Sequence, residues 1–250
     1  MQPEIKKLLE SGALFVVNHS GGKDSQAMMI DLLRFVPKEQ MIVVHASLGD
    51  VEWPGALEHA QDQAMAAGVP FIVAKAPKTF LGMVEKRFED RPEVPSWPSA
   101  ANRQCTSDLK RGPIEREVRR YSKAHGFSRI VNCVGIRAAE SASRAKQVPF
   151  RKSERNSVAG REWYDWLPIF GMSTAKVFEI LECAGQRPHA AYAAGNQRLS
   201  CMFCIMASAN DLKNAAKHNP ELYQRYVELE KKTGYTMHQS RKSLTEIVEG

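Results

Sequence analysis

"VVNHSGGKDSQAMM", residues 16–29, decides the fold. An apolar run that reads as a buried strand breaks at Ser20-Gly21-Gly22-Lys23-Asp24-Ser25 and resumes with apolar residues at helical spacing. A strand that ends in a glycine turn opening a helix directs backbone N–H groups of the turn and of the helix start toward one anion. Gly21 and Gly22 remove side chains that would block the approach, Lys23 adds a cation, and Ser20 and Ser25 add hydroxyl donors. The GxxxxGK[ST] spacing of a Walker loop is not met. The stretch predicts a phosphate-binding turn of a different kind.

The flanking sequence extends this reading. "ALFVVNHS", "QMIVVHASLG", "VPFIVAKA" and "SRIVNCVGIR" read as strands, and "KDSQAMMIDLLRFV", "GALEHAQDQAMAAG" and "SDLKRGPIEREVRRYSKAHG" as helices between them. Gly68 is placed as a C-cap and Pro113 near the start of a turn. Strands alternating with helices imply an α/β fold, an open and mostly parallel sheet with helices on both faces. Residues 89–104, with their prolines, read as a loop near the site. Residues 138–162, "AAESASRAKQVPFRKSERNSVAGRE", are polar and basic and read as a mobile arm. A strand and a helix capped by Ser173 or Thr174 follow, and "NPELYQRYVELEKKTGY" is a helix behind Asn219-Pro220. The expected organisation is a nucleotide-binding domain over residues 1–182 that carries the basic arm, then a C-terminal cysteine-bearing and helical segment over 183–250.

Composition narrows the class. In 250 residues, 43% are hydrophobic and 25% charged, an ordinary globular balance. The net charge of +7 fits nucleotides, nucleic acid or a solvated basic surface. No apolar run approaches bilayer length, and "MQPEIKKLLESG" reads as an amphipathic helix rather than a leader, so no membrane partner and a cytoplasmic location are expected. Five cysteines, an odd number, argue against a disulfide framework and leave metal binding or catalysis open.

"SGGKDS" resembles the pyrophosphate loop of the adenine-nucleotide α-hydrolase superfamily, which includes the N-type ATP pyrophosphatases. "CTSDLKRGPIE" (105–115), "VGIRAAESASRA" (134–145), "LPIFGMSTAKVFEIL" (167–181) and "PHAAYAAGNQRLSCMFC" (188–204) fall in the order of the phosphoadenylyl-sulfate (PAPS) reductase family. The resemblance implies ATP as the bound nucleotide. Ser20, Gly21, Gly22, Lys23, Asp24 and Ser25 would hold its phosphates, and Lys110, Arg137 and Arg144 match basic positions facing it. Lys23, Asp24, Lys110 and Arg137 are the implied catalytic set. Arg137 also follows the fourth strand, where an open parallel sheet binds ligands. Asp50, after the second strand, is a candidate ligand for Mg²⁺ or the ribose.

The cysteines separate the activities within this resemblance. Cys201 and Cys204 form a CxxC whose turn can bring both sulfurs to one side. Adenylyl-sulfate reductases carry a Cys-Cys pair and a CxxC on a [4Fe–4S] cluster. Here residue 104 is Gln, which leaves Cys105, Cys201 and Cys204 as ligands of a [4Fe–4S] cluster, with zinc as the alternative. Cys133, mid-strand, and Cys183, in an apolar helix, read as core residues. The reductases' attacking cysteine, carried in a C-terminal motif, has no counterpart after Cys204. The pattern is therefore most similar to the ATP pyrophosphatases of DNA phosphorothioation. The expected function is adenylation of an acceptor for sulfur insertion, with DNA and sulfur-transfer proteins such as a cysteine desulfurase as partners. Sulfonucleotide reduction to sulfite, and a non-catalytic nucleotide-binding subunit of a modification complex, stand as alternatives.

Overall fold

The apolar run before the glycine turn becomes β1 (Leu14–Asn18), buried along all but its last residue. It is the third strand of a six-stranded sheet in the computed structural model, which describes residues 2–158 and 160–250. The other strands are β2 (Met41–Ser47), β3 (Phe71–Lys75), β4 (Arg129–Val134), β5 (Phe150–Lys152) and β6 (Glu162–Trp166), in the order β3-β2-β1-β4-β6-β5. β1 pairs in parallel with β2 and β4, and β4 with β6; β5 runs antiparallel to β6. The strand order reverses between β1 and β4, so their carboxyl ends flank the switch point at which open α/β sheets bind ligands.

Alternation along the strands covers both faces. Phe15, Val17, Met41, Val43, Val131 and Cys133 face one side, where they pack with Ile5 and Leu8 of α1 (Pro3–Glu10) and Met28, Met29 and Leu32 of α2 (Lys23–Leu32). Leu14, Val16, Ile42, Val44, Ile130 and Trp163 face the other, with Val118. α3 (Ala56–Ala67) ends on Gly68 at φ 67°, the left-handed cap the sequence predicts. At the switch point Asn18 Nδ2 donates to Asn132 Oδ1 (2.7 Å) and to the Cys133 carbonyl (2.8 Å), which pins the end of β1 to β4 just before the chain enters the glycine turn.

The chain divides into two compact units, each built from separate stretches: Met1–His45, Gly55–Ala74 and Ile114–His189 in the first; Ala46–Pro54, Lys75–Pro113 and Ala190–Gly250 in the second. Residue 182, where the sequence reading ends its nucleotide domain, lies inside the first unit. The second unit takes the stretches that follow β2 and β3 together with the C-terminal helices. It contains α4 (Phe80–Asp90), a helix within a stretch the sequence leaves irregular, and α5 (Gln104–Thr106), which runs through a π-helical turn at Ser107–Arg111 toward α6 (Gly112–Ala124). After α7 (Ala142–Ala145) and α8 (Thr174–Cys183) of the first unit, the second resumes with α9 (Ala190–Ala193), α10 (Ala209–His218), α11 (Pro220–Thr233) and α12 (Leu244–Glu249). Ser173 caps α8 by accepting from Lys176 N (3.1 Å), and Asn219 caps α11 by accepting from Leu222 N (3.0 Å). Among the described residues no helix is long and apolar enough to cross a membrane.

Residues 138–162, read from composition as a mobile arm, carry α7, β5 and the start of β6; Ala159 lies outside the described residues. Polar composition hid a short edge strand: Phe150 stacks on Tyr164 with centroids 5.5 Å apart and planes 5° from parallel. The turn beyond it is held by Glu115 of α6, a buried carboxylate that accepts from Arg155 and from Asn156 Nδ2 (3.1 Å). Glu115→Ala leaves the Asn156 amide without its acceptor, and a loss of about 1–3 kcal/mol is expected in urea unfolding. Glu115→Gln, which keeps an acceptor, loses less, and limited proteolysis of the Ala variant cleaves first at residues 153–157.

Candidate functional site

The glycine turn is built around His19, the last residue before it. His19 is buried, and burial pushes its pKa from 6.5 down to about 3, so the imidazole is neutral. Its hydrogen bonds assign the tautomer. Gly21 N–H donates to Nδ1 (3.1 Å), which leaves the proton on Nε2 to be donated to Gln63 Oε1 (2.9 Å). The His19 carbonyl accepts from His45 Nδ1 (2.8 Å). Ser25, assigned to phosphate on sequence grounds, closes the turn: its hydroxyl donates to the Gly22 carbonyl (2.8 Å) and accepts from Ser20 N–H (3.2 Å). Ser20 is exposed at the mouth of the turn.

One close backbone approach requires glycine and a second is tight enough to favour it. Gly21 sits at φ 76°, and a Cβ there would lie 2.5 Å from the carbonyl oxygen of Ala56, at the start of α3. A Cβ on Gly135, just after β4, would lie 3.2 Å from the backbone of Asp24 and Ser25. Both clearances press neighbouring segments against the start of α2. The N-cap of that helix is Gly22, which has no side chain, so no side-chain cap occupies the first-turn N–H groups, the partial positive charge an anion would meet.

The charged residues around the turn are tied to one another. Asp24 Oδ1 accepts from Arg137 Nε (2.6 Å), and its Oδ2 lies 3.4 Å from Lys23 Nζ. Lys23 is buried, with its ammonium 6.0 Å over the Phe178 ring. Arg137 is also buried and donates through Nη1 to the Met172 carbonyl and to Thr174 Oγ1, both at 3.2 Å. Arg144 pairs with Glu140, whose carboxylate accepts from the Arg137 backbone N–H (2.9 Å). Asp24 and Arg137 therefore form a fixed, paired frame beside the loop, and Lys23 is the cation held against the helix start. The sequence reading passed over His19, Gln26 and Gln63. Gln26, fully buried on α2, donates to Gln186 Oε1 (3.0 Å) and to the Arg187 carbonyl (3.1 Å). Of these residues only His19 had a local signal, a histidine at the strand–turn junction.

The second unit gathers the remaining candidates. Asp50, nominated for Mg²⁺ or ribose, is paired with Arg225 Nη1 at 2.5 Å. Cys105 on α5, Cys201 and Cys204 are each half-buried and act electrostatically on one another. Cys201 hydrogen-bonds to Cys204, which drives the Cys204 thiol down and the Cys201 thiol up. Burial and the Cys204 charge raise Cys105, and the Lys110 ammonium opposes this at all three sulfurs. Lys110, placed with the nucleotide on sequence grounds, thus acts on the cysteines. The residues between the two cysteines anchor the turn: Met202 and Phe203 are buried, and Met202 N–H donates to the Val51 carbonyl (2.9 Å). Among the described residues no three His, Cys, Asp or Glu side chains close around a metal position. The donor chemistry, three interacting thiols beside a cation, fits a thiolate-held group. Cys133 is buried in β4 as expected, whereas Cys183 is exposed, because it falls on the last turn of α8 and off its packed face.

Gly21→Ala forces its Cβ onto the Ala56 carbonyl, and loss of nucleotide binding in calorimetry is expected even where the circular dichroism spectrum is retained. The His19 imidazole also makes stability depend on pH. Below 6.5 the unfolded chain takes up a proton that the folded chain refuses until about 3, so this contribution is complete above 6.5 and is lost as pH falls through that window. Urea unfolding of wild type should lose stability relative to His19→Gln by up to about 1.4 kcal/mol per pH unit below 6.5; parallel profiles would overturn the assignment.

Comparison with known proteins follows the geometry. A crystal structure of phosphoadenylyl-sulfate reductase from Candida auris, in complex with phosphate, superposes with a TM-score of 0.50 at 12% identity, covering 79% of this chain and 85% of that one, a likeness of fold. The U34-tRNA thiolase NcsA from Methanococcus maripaludis, solved with its [4Fe–4S] cluster, matches at TM-score 0.45 and 12% identity over 98% of this chain and 73% of that one. An uncharacterized 37.8 kDa protein from the gpa 5′ region of Escherichia phage 186 is 27% identical over 135 residues, which span 54% of this chain and only 39% of the phage protein. Residues 15–207 match the phosphoadenosine phosphosulfate reductase domain, and on that match over most of its length the chain belongs to this family.

Proposed function

We propose that this protein is an ATP pyrophosphatase that adenylates an acceptor for sulfur insertion, with the phosphate oxygen of DNA as the acceptor. The observation that carries the reading is the start of α2, uncapped at the switch point of the sheet, with the buried Lys23 ammonium held against it. In the reaction an acceptor oxygen attacks the α-phosphorus and the α–β phosphoanhydride P–O bond breaks. The electron pair leaves on pyrophosphate. Loop amides and Lys23 stabilise that departing charge. Gly21 N–H is already committed to His19 Nδ1, which sets the loop's shape before the nucleotide arrives. Asp24 and Arg137 hold the frame that aims Lys23. Mg²⁺ would share charge with the β- and γ-phosphates. A sulfur nucleophile, supplied by a partner such as a cysteine desulfurase, then displaces AMP from the activated atom.

Cys105, Cys201 and Cys204 would hold a [4Fe–4S] cluster, which supplies a place to bind and present sulfide. The +7 net charge favours a polyanionic acceptor. Arg155, within the basic segment, is already paired with Glu115. A second reading, sulfonucleotide reduction, is favoured by the family match and by the lowered Cys204 thiol. In that case the Cys204 thiolate attacks the sulfonyl sulfur and the S–O bond to the nucleotide phosphate breaks, the electron pair leaving on that phosphate. The Cys201 thiolate then attacks Cys204 Sγ, sulfite leaves, and the disulfide formed is reduced by the thiol donor.

Pyrophosphate release from ATP in the presence of acceptor is the deciding measurement. Lys23→Ala is expected to lower its rate by about 100-fold or more. Sulfite release from a sulfonucleotide with a thiol donor, and no turnover of ATP, establishes the second reading instead. Intact nucleotide binding with neither activity leaves a non-catalytic subunit.

A further inference from the structure

Three hydrogen-bond donors in the second unit are buried without an acceptor among the described residues: the Tyr226 hydroxyl, the Trp97 indole N–H and the Ser96 hydroxyl. Buried donors in folded proteins are nearly always paired, so a group of them marks the place of an acceptor that the chain itself does not provide. Tyr226 is fully buried on α11 and held between rings, with Phe80 at 6.0 Å and 19°, Trp97 at 5.8 Å and 26°, and Phe203 at 5.0 Å and 46°. Phe203 immediately precedes Cys204, so the same packing that fixes the CxxC turn fixes the tyrosine. The Tyr226 hydroxyl is buried with the ring and has no acceptor among the described residues, so it is a donor held at the CxxC turn and away from water. Trp97, stacked on Tyr226, brings a second unpaired donor, its indole N–H, to the same region.

Resting on the reading of Cys105, Cys201 and Cys204 as ligands of an iron–sulfur group, we propose that Tyr226 is a positioning residue that donates a hydrogen bond from its hydroxyl to an inorganic sulfur of that group. A thiolate-bound zinc ion brings no inorganic sulfide, so beside zinc the donors would have only cysteine sulfur to reach, whereas a cluster adds sulfide acceptors. Hydrogen bonds to cluster sulfurs stabilise the reduced, more negative state and set the potential.

The test compares full-length wild type and Tyr226→Phe, both purified without oxygen. Wild type is expected to contain iron and acid-labile sulfide. Tyr226→Phe should shift the reduction potential to a more negative value and lose iron to a chelator about tenfold faster. Stripped of metal, Tyr226→Phe should melt above stripped wild type, because the change removes an unpaired buried hydroxyl. Wild type with zinc and no iron overturns the cluster reading and the Tyr226 role together. Iron-loaded wild type with an unchanged potential and iron-loss rate in Tyr226→Phe overturns the Tyr226 role alone. Should the variant fail to fold, the Fe–S vibrational bands of wild type in H₂O and D₂O decide: a shift supports the hydrogen bond, and superimposable bands overturn it.

Discussion

The start of α2 is pressed against its neighbours so closely that a side chain is excluded at Gly21 and crowded at Gly135. Gly21 passes the Ala56 carbonyl and Gly135 passes the backbone of Asp24 and Ser25, each nearer than a Cβ permits or tolerates. These approaches lie where the sheet reverses its strand order, and they set the direction in which the first-turn amides of α2 point. The Asp24–Arg137 pair and the placing of Lys23 follow from that constraint. They belong to segments following β1 and β4, which only this packing brings together.

Beneath the loop the protein uses neutral polar chemistry. A protonated imidazole at residue 19 would have no acceptor for a Gly21 N–H and would set a positive charge in a buried site. Desolvation keeps His19 neutral, and Gln63 assigns its proton to Nε2. The loop is thereby shaped by a backbone N–H to imidazole bond rather than by a capping carboxylate, which would repel a phosphate. Asp24, the one carboxylate in the loop, is balanced by Arg137 and Lys23.

The second unit follows a different logic. Its CxxC turn is held by the two buried residues between the cysteines: Met202 N–H donates to the Val51 carbonyl, and Phe203 packs on Tyr226, which Phe80 and Trp97 flank. Apolar packing thus fixes the backbone while the sulfurs stay half-exposed beside Lys110. The buried, unpaired donors of Ser96, Trp97 and Tyr226 bear a desolvation cost within this unit.

How much was legible follows from the range of each interaction. The strand–glycine–helix break at residues 16–29, the alternation that gives a parallel sheet, the caps at Gly68, Ser173 and Asn219, and the CxxC spacing all depend on residues a few positions apart, so the sequence by itself determined them. Edge strand β5 escaped notice because its partner is needed to make a short polar stretch a strand, and α4 because it lies between proline-rich and irregular segments. The hydroxyl of Ser25 closing the loop, the Asp50–Arg225 pair and the action of Lys110 on the cysteines came only with the tertiary structure. It also decided that His19 is neutral, through a partner 44 residues away, and that Tyr226 stands beside a CxxC with its hydroxyl unpaired. Each of these depends on burial or on a partner distant in the chain, and neither is set until the elements have packed.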